Sequence, residues 1–138
     1  MAAGVGMDLI EVARIERALD RYPRLADRLF TKEEQQYAAT KGRPGRHLAA
    51  RFAAKEAVIK ALGLPPGTAM REIEVRAGSE ADPVPTINLS GRARREAEAR
   101  GLAIQISLTH AREMAAAIAV ADPVEAHQPG PGPGGGAG

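Results

Sequence analysis

RHLAARFAAKEAVIKALG, residues 46–63, decides how this chain is read. Leu48, Phe52, Ile59 and Leu62 recur at helical spacing. Ala49, Ala50, Ala53, Ala54, Ala57, Val58 and Ala61 cover most of the remaining surface. A helix that is apolar all round is a buried helix, yet this one carries Lys55, Glu56 and Lys60 in its central turns. Glu56 and Lys60 lie about 40° apart on one flank, and Lys55 falls close to the apolar stripe. An exposed i,i+4 Glu–Lys pair contributes only about 0.2–0.5 kcal/mol. A charge on a buried helix, by contrast, costs free energy unless it meets a partner, a metal or a ligand. The aliphatic surroundings turn the reading from a surface ion pair toward a site.

The 138 residues suggest one domain with one core. With 44% hydrophobic but only 3% aromatic residues and no Trp, that core must be aliphatic and rich in alanine. A net charge of +2 is too weak to define a nucleic-acid binder. The absence of Cys excludes disulfides and thiolate metal sites and fits a reducing compartment. No apolar run approaches the roughly 18–20 residues of a membrane span, and the N-terminus lacks the pattern of a signal peptide. The expectation is a cytoplasmic protein with no membrane partner.

Ala2 to Ile10 reads as a strand, with Val5, Met7 and Leu9 on one face and Gly4, Gly6 and Asp8 on the other. Two positions without side chains beside an Asp leave room for close approach; Asp8 equally suits a cap for the next helix. Val12 to Leu29 reads as a helix broken at Pro23, with Val12, Ile15, Leu19 and Tyr22 as its core face. Arg14, Arg17, Arg21, Arg24 and Arg28 form a basic stripe opposite. Such a stripe is either a solvated face or a surface for a carboxylate- or phosphate-bearing partner. Thr31 and Glu34 match a capping box. KGRPGR at 41–46 is a basic loop, and Gly63 with Pro65-Pro66 ends the central helix.

Strands are expected at 72–77 and 84–89, the second an edge because of Pro85. Ser90 caps a helix over 91–100, Leu102 to Leu108 alternates as a strand, and 109–112 turns. Ala115 to Ala121 is left between helix, by propensity, and returning strand. The domain spans 1–122, and 123–138 reads as a disordered Gly/Pro-rich tail.

The three histidines are not spaced as a metal pair, and no phosphate-binding loop or dinucleotide fingerprint is present. Asp8, Glu56, Lys60 and His110 remain. Two carboxylates without imidazole or thiol suit a hard cation, and magnesium takes one or two carboxylates with waters and substrate phosphate oxygens. This inference needs Asp8 and Glu56 to meet in space, which spacing cannot show.

GVGMDLIEVARI at 4–15, the FTKEE beginning at Phe30, RFAAKEAVIKALG at 51–63 and ISLTH at 106–110 together resemble holo-acyl-carrier-protein synthase, the short type of 4′-phosphopantetheinyl transferase. The resemblance implies that coenzyme A donates its 4′-phosphopantetheine arm to a serine of an acidic acyl carrier protein, releasing adenosine 3′,5′-bisphosphate, in fatty-acid or polyketide synthesis. It implies Asp8 and Glu56 as magnesium ligands, Lys60 beside the coenzyme A phosphates and His110 near the bound cofactor, all four counted as catalytic. It implies Arg14 on the helix that docks the carrier protein, and the basic stripe, read as a continuation of that surface, adds Arg21. The implied fold is α+β, a mainly antiparallel sheet packed around a long central helix, assembled as a homotrimer with sites at subunit interfaces. ISLTH carries Thr109 where Ser is usual, and Ala111 follows His110 where some relatives have Asp or Ser. A metal-bound water, Asp8 and His110 all stand as acceptors of the serine proton. Two other classes compete: a module that binds carrier protein or coenzyme A without turnover, and a nucleic-acid binder using the arginine stripe. Intact Asp8, Glu56 and Lys60 oppose the first, and the lack of stacking aromatics opposes the second.

Overall fold

A computed structural model describes residues 3–127. It is an α+β fold built around one helix. The chain runs through strand β1 (Gly4–Glu11), helices α1 (Val12–Arg21), α2 (Leu25–Leu29), α3 (Lys32–Ala39) and α4 (Pro44–Leu62), and a 3-10 turn at Met70–Glu72. Strands β2 (Ile73–Arg76) and β3 (Thr86–Leu89), helix α5 (Gly91–Ala99), strands β4 (Leu102–Ala111) and β5 (Met114–Pro123) and a 3-10 turn at Val124–His127 follow. All strand pairing is antiparallel: a three-stranded sheet in the order β1-β5-β4, and a separate β2-β3 ribbon.

Small residues let α4 lie close against the sheet. Ala49, Ala53, Ala54, Ala57 and Ala61 of the helix and Ala115, Ala117, Ala119 and Ala121 of β5 are all buried. A Cβ built on Gly4 would sit 2.0 Å from the Ala61 carbonyl oxygen, and one on Gly6 would sit 1.9 Å from that of Ala57. What approaches the glycine face of β1 is therefore the backbone of α4. Ala115–Ala121, left between helix and strand, is a strand, because alanines at every second position line the inner face while β1 and β4 flank it. Alanine's helix propensity is overridden by ladder pairing on both edges.

The elements begin and end much as their sequences require. Thr31 and Glu34 form both halves of the capping box, and Gly63 closes α4 in the left-handed conformation at φ 62°. Four details differ from expectation. Tyr22 is exposed rather than in the core face, because α1 stops at Arg21 and the chain is extended before Pro23. Pro44 opens α4 from its first turn, so the 41–46 loop is shorter than read. Ser90 occupies the N-cap of α5 without a side-chain bond, and the Glu72 carboxylate instead accepts from the Ala93 N–H at 3.0 Å. β4 continues through His110 to Ala111, and the turn to β5 falls at Arg112, with φ 53°, and Glu113.

β5 runs through Pro123, and the Val124 N–H donates to the Gly101 carbonyl at 2.8 Å, so ordered structure passes the boundary expected at residue 122. Most of the expected tail, 128–138, lies outside the described residues. Among the described residues no helix is long and apolar enough to cross a membrane.

Lys55 is fully buried and donates to Glu34 Oε1 at 2.8 Å, the Met70 carbonyl at 2.9 Å and the Ile73 carbonyl at 2.8 Å. The other Glu34 oxygen accepts from the Val75 N–H at 2.9 Å. Every Lys55 proton thus has an acceptor, and one ion pair ties α3 and α4 to the start of β2. Removing one partner of such a pair costs about 3–5 kcal/mol, because the other charge is left buried.

Gly6→Ala tests the close approach. The added methyl meets backbone rather than a movable side chain, so α4 must shift off β1. Unfolding stability is expected to fall by about 1–3 kcal/mol or more, as for an overpacked core, measured by denaturant titration. An unchanged midpoint would show that the contact is looser than the geometry says.

Candidate active site

The close approach of α4 to β1 sets the next residue on the inner face of the strand, Asp8, against the middle of the helix. Asp8 and Glu56 line one surface cavity of about 470 Å³, with Arg14 and the apolar side chains of Ile10, Ile15, Leu25, Leu29 and Phe52. The two carboxylates left apart by sequence are therefore brought together. Lys60, one turn along α4 from Glu56, reaches back to β1. Its Nζ donates to the Met7 carbonyl at 2.9 Å and stands 3.5 Å from Asp8 Oδ1. Lys60 is about half exposed and Asp8 only 20% exposed at the side chain, so the ammonium sits at the mouth and the carboxylate inside.

Glu56 is pushed above the usual carboxylate range. Burial is the largest cause, the negative charge of Asp8 adds to it, and Lys60 partly offsets both. Two acids that repel each other in a partly desolvated cavity are an unsatisfied negative site. Among the described residues no cluster of three or more acidic or imidazole side chains exists to hold a metal alone. A two-carboxylate, all-oxygen donor set at a cavity fits a hard cation that takes its other ligands from water and a substrate, which is the habit of magnesium.

His110 does not share this cavity. Within the sheet register it pairs with Ala115, which pairs with Ile10, so its Cα lies two strand spacings, about 10 Å, from β1. It lines a second cavity of about 410 Å³ with Tyr37, His47, Arg51, Pro85 and Thr109. The sequence reading missed His47 and Arg51. Their signal was the i,i+4 series His47, Arg51, Lys55, which puts three basic side chains on the α4 face opposite Tyr37 and Glu34 of α3.

All five stripe arginines are exposed. Among the described residues no ion pair joins any of them to an acid. Glu16 is held by Arg43 at 2.8 Å, and Asp27 accepts from Gln35 at 3.1 Å. Arg14 alone lines the carboxylate cavity, while Arg21 lies outside it, against the Tyr22 ring at 5.6 Å. Arg43, in the stretch read as a basic loop, is clamped by Glu16 and Glu113, both at 2.8 Å.

With this geometry in view, comparison with known proteins gives the class. The profile of the 4′-phosphopantetheinyl transferase superfamily matches residues 4–119, and the chain belongs to that family of transferases. More narrowly, it is 47% identical over 91 residues to a holo-[acyl-carrier-protein] synthase of Moorella thermoacetica, covering 65% of this chain and 70% of the relative. The crystal structure of the holo-[acyl-carrier-protein] synthase of Neisseria meningitidis superposes with a TM-score of 0.77 at 29% identity, over 88% of this chain and 99% of the other. The Bacillus anthracis synthase, solved with coenzyme A (3′,5′-ADP), superposes at 0.70 and 32% identity, over 89% of this chain and 98% of the other.

The pKa of Glu56 makes a prediction about stability. Its folded-state pKa lies above the unfolded one, so its stabilising contribution is full below about pH 4. That contribution is lost as pH rises through the folded value, and at neutral pH the ionised side chain is a cost. Glu56→Gln is expected to raise the melting temperature at pH 7 in metal-free buffer, and the gain should disappear as pH falls below about 4. Magnesium should raise the melting temperature of the wild type and not of the variant. A variant less stable than wild type at pH 7 would show that Glu56 is held by a partner rather than repelled.

Proposed function

We propose that this protein is a holo-[acyl-carrier-protein] synthase. It transfers the 4′-phosphopantetheine of coenzyme A to a serine of an apo acyl carrier protein and releases adenosine 3′,5′-bisphosphate. The observation that carries the reading is the meeting of Asp8 and Glu56 in one cavity, with Lys60 beside Asp8, in a chain of this family. The names of its relatives and the coenzyme A complex of one of them support it.

In this reading the serine oxygen forms a bond to the phosphorus next to the pantetheine, and the bridging P–O bond to the nucleotide half breaks. The serine proton passes to a base or water in the cavity. Asp8 and Glu56 would hold magnesium, which when bound would neutralise pyrophosphate charge that repels the incoming oxygen. Lys60 adds a cation where the leaving phosphate gathers charge. Few groups are needed, because phosphoryl transfer is mostly positioning and electrostatics. The apolar wall of the cavity, with Phe52 and Ile10, keeps water away from the carboxylate end.

His110 belongs to the same reaction only if two chains contribute to each site. An exposed apolar stripe supports self-association. Val5, Met7 and Leu9 of β1 are 58%, 65% and 61% exposed, and Ile118, which pairs with Met7, is 40% exposed. A contiguous apolar patch of this kind marks an interaction surface. We take it as the homotrimer interface. It sets the carboxylate cavity of one subunit toward the His110 cavity of a neighbour, so that coenzyme A spans both. The catalytic unit, expected to end at residue 122, extends through the end of β5, and it acts in the cytoplasm in fatty-acid or polyketide synthesis.

The reading is tested by mass spectrometry of an apo carrier protein incubated with the protein, coenzyme A and magnesium. A gain of one phosphopantetheine is expected, and Glu56→Gln should slow the transfer by at least about 100-fold, as loss of a charge-stabilising group does. Unmodified carrier protein under saturating conditions would instead favour a binding module.

The stripe makes a separate prediction. Arg14→Ala should raise the KM for carrier protein and leave that for coenzyme A nearly unchanged, and Arg21→Ala should do the same more weakly. Exposed charges are screened with a Debye length of about 8 Å at physiological ionic strength. The wild-type KM for carrier protein should therefore rise steeply with salt, and that of Arg14→Ala less so. A loss confined to coenzyme A affinity would place the docking surface elsewhere.

A further inference from the structure

The second cavity is walled by rings in a continuous edge-to-face series. Tyr37 of α3 meets His47 of α4 at 5.9 Å and 78°, and His47 meets His110 of β4 at 5.3 Å and 75°. This is the preferred geometry of interacting rings, and it fixes His110 to two helices through His47. Arg51 lies 4.2 Å and Lys41 4.6 Å from the Tyr37 ring centroid. Arg51 is only 4% exposed, and its Nε has no hydrogen-bond partner. A buried guanidinium with an open donor beside a cavity is a place for an acceptor-rich ligand.

Among the described residues, the titratable and charged groups that face His47 are Tyr37 on α3, Lys41 just after it, Arg46 and Arg51 on α4, and His110 on β4. Burial first, then His110 and these cations, push the His47 imidazole below its ordinary range. In the free protein burial and these cations hold the ring toward its neutral form. A phosphate-bearing ligand would replace repulsion with attraction, and by linkage binding would then be accompanied by proton uptake.

We propose that His47 is a positioning residue: it holds the His110 ring for coenzyme A and takes up a proton when the phosphates of that ligand occupy the cavity. This rests on the coenzyme A-dependent reading above. The proton comes from solvent and returns to it on release, and no covalent step is involved.

Calorimetric titration of the full-length wild-type, His47→Ala and His47→Phe proteins with coenzyme A, from pH 5.5 to 8 in buffers of different ionisation heat, tests it. His47→Ala is expected to weaken binding roughly 3- to 10-fold at every pH, the size of one ring–ring contact. His47→Phe, which keeps a ring at that place, should recover most of that loss at pH 8. It should nevertheless take up fewer protons and tighten less on acidification. The phosphates of coenzyme A also titrate, but they are common to all three proteins, so the difference belongs to His47. Wild-type proton uptake in His47→Phe, or wild-type affinity in His47→Ala, overturns the role of His47 while leaving the coenzyme A reading intact. Absence of coenzyme A binding by the wild type overturns both.

Discussion

The backbone of α4 lies so close to β1 that Gly4 and Gly6 have no room for a Cβ, and the candidate site follows from that constraint. Two residues along a strand rise about 6.7 Å, and four along a helix about 6 Å. The two periods nearly match, so successive inner positions of β1 meet successive turns of an antiparallel α4. Gly4 faces Ala61, Gly6 faces Ala57, and Asp8 therefore comes level with the turn that carries Glu56. Lys60 lies on the same flank of the helix and closes back onto the strand. The glycines thus fix the separation of two charged groups as well as the packing of two elements.

The same helix divides its charges between two faces. Phe52, Glu56 and Lys60 face β1 and α1 at i,i+4 spacing, whereas His47, Arg51 and Lys55 face α3. Lys55 and Glu56 are neighbours in the chain and have opposite fates. Lys55 has three acceptors and a buried counter-ion, so it is spent on structure. Glu56 has the like charge of Asp8 beside it, only partly offset by Lys60, and in the proposed reading it takes a cation. The surroundings set by α3 and β1 decide which charge is structural and which is chemical.

This difference explains what could be read from the sequence. Local chemistry was legible: the capping box of Thr31 and Glu34, the left-handed Gly63 and the alternation of β4 are written in residues that act on their near neighbours. The convergence of Asp8 and Glu56 was not, because it depends on a helix–strand register set across 48 residues of chain; family motifs supplied it. Tyr22 misled because its spacing continues a helix that Pro23 prevents. Ser90 misled because a cap residue competes with any carboxylate that can reach the same N–H, and Glu72 reaches it. His47 and Arg51 went unread because their partners, Tyr37 and His110, belong to other elements.

β1 places candidate chemistry next to an exposed apolar surface. Alternation points Gly4, Gly6, Asp8 and Ile10 toward α4 and points Val5, Met7 and Leu9 outward. The strand that carries a candidate metal ligand on one face therefore presents bare apolar surface on the other, one residue away. His110 lies on the opposite edge strand of the same sheet, in a cavity that one subunit does not join to the first. A ligand long enough to need both cavities would be held only when a neighbour docks, and under the proposed reading that neighbour docks on the strand that carries Asp8. In the proposed enzyme, assembly and catalytic geometry would then be coupled through a single strand.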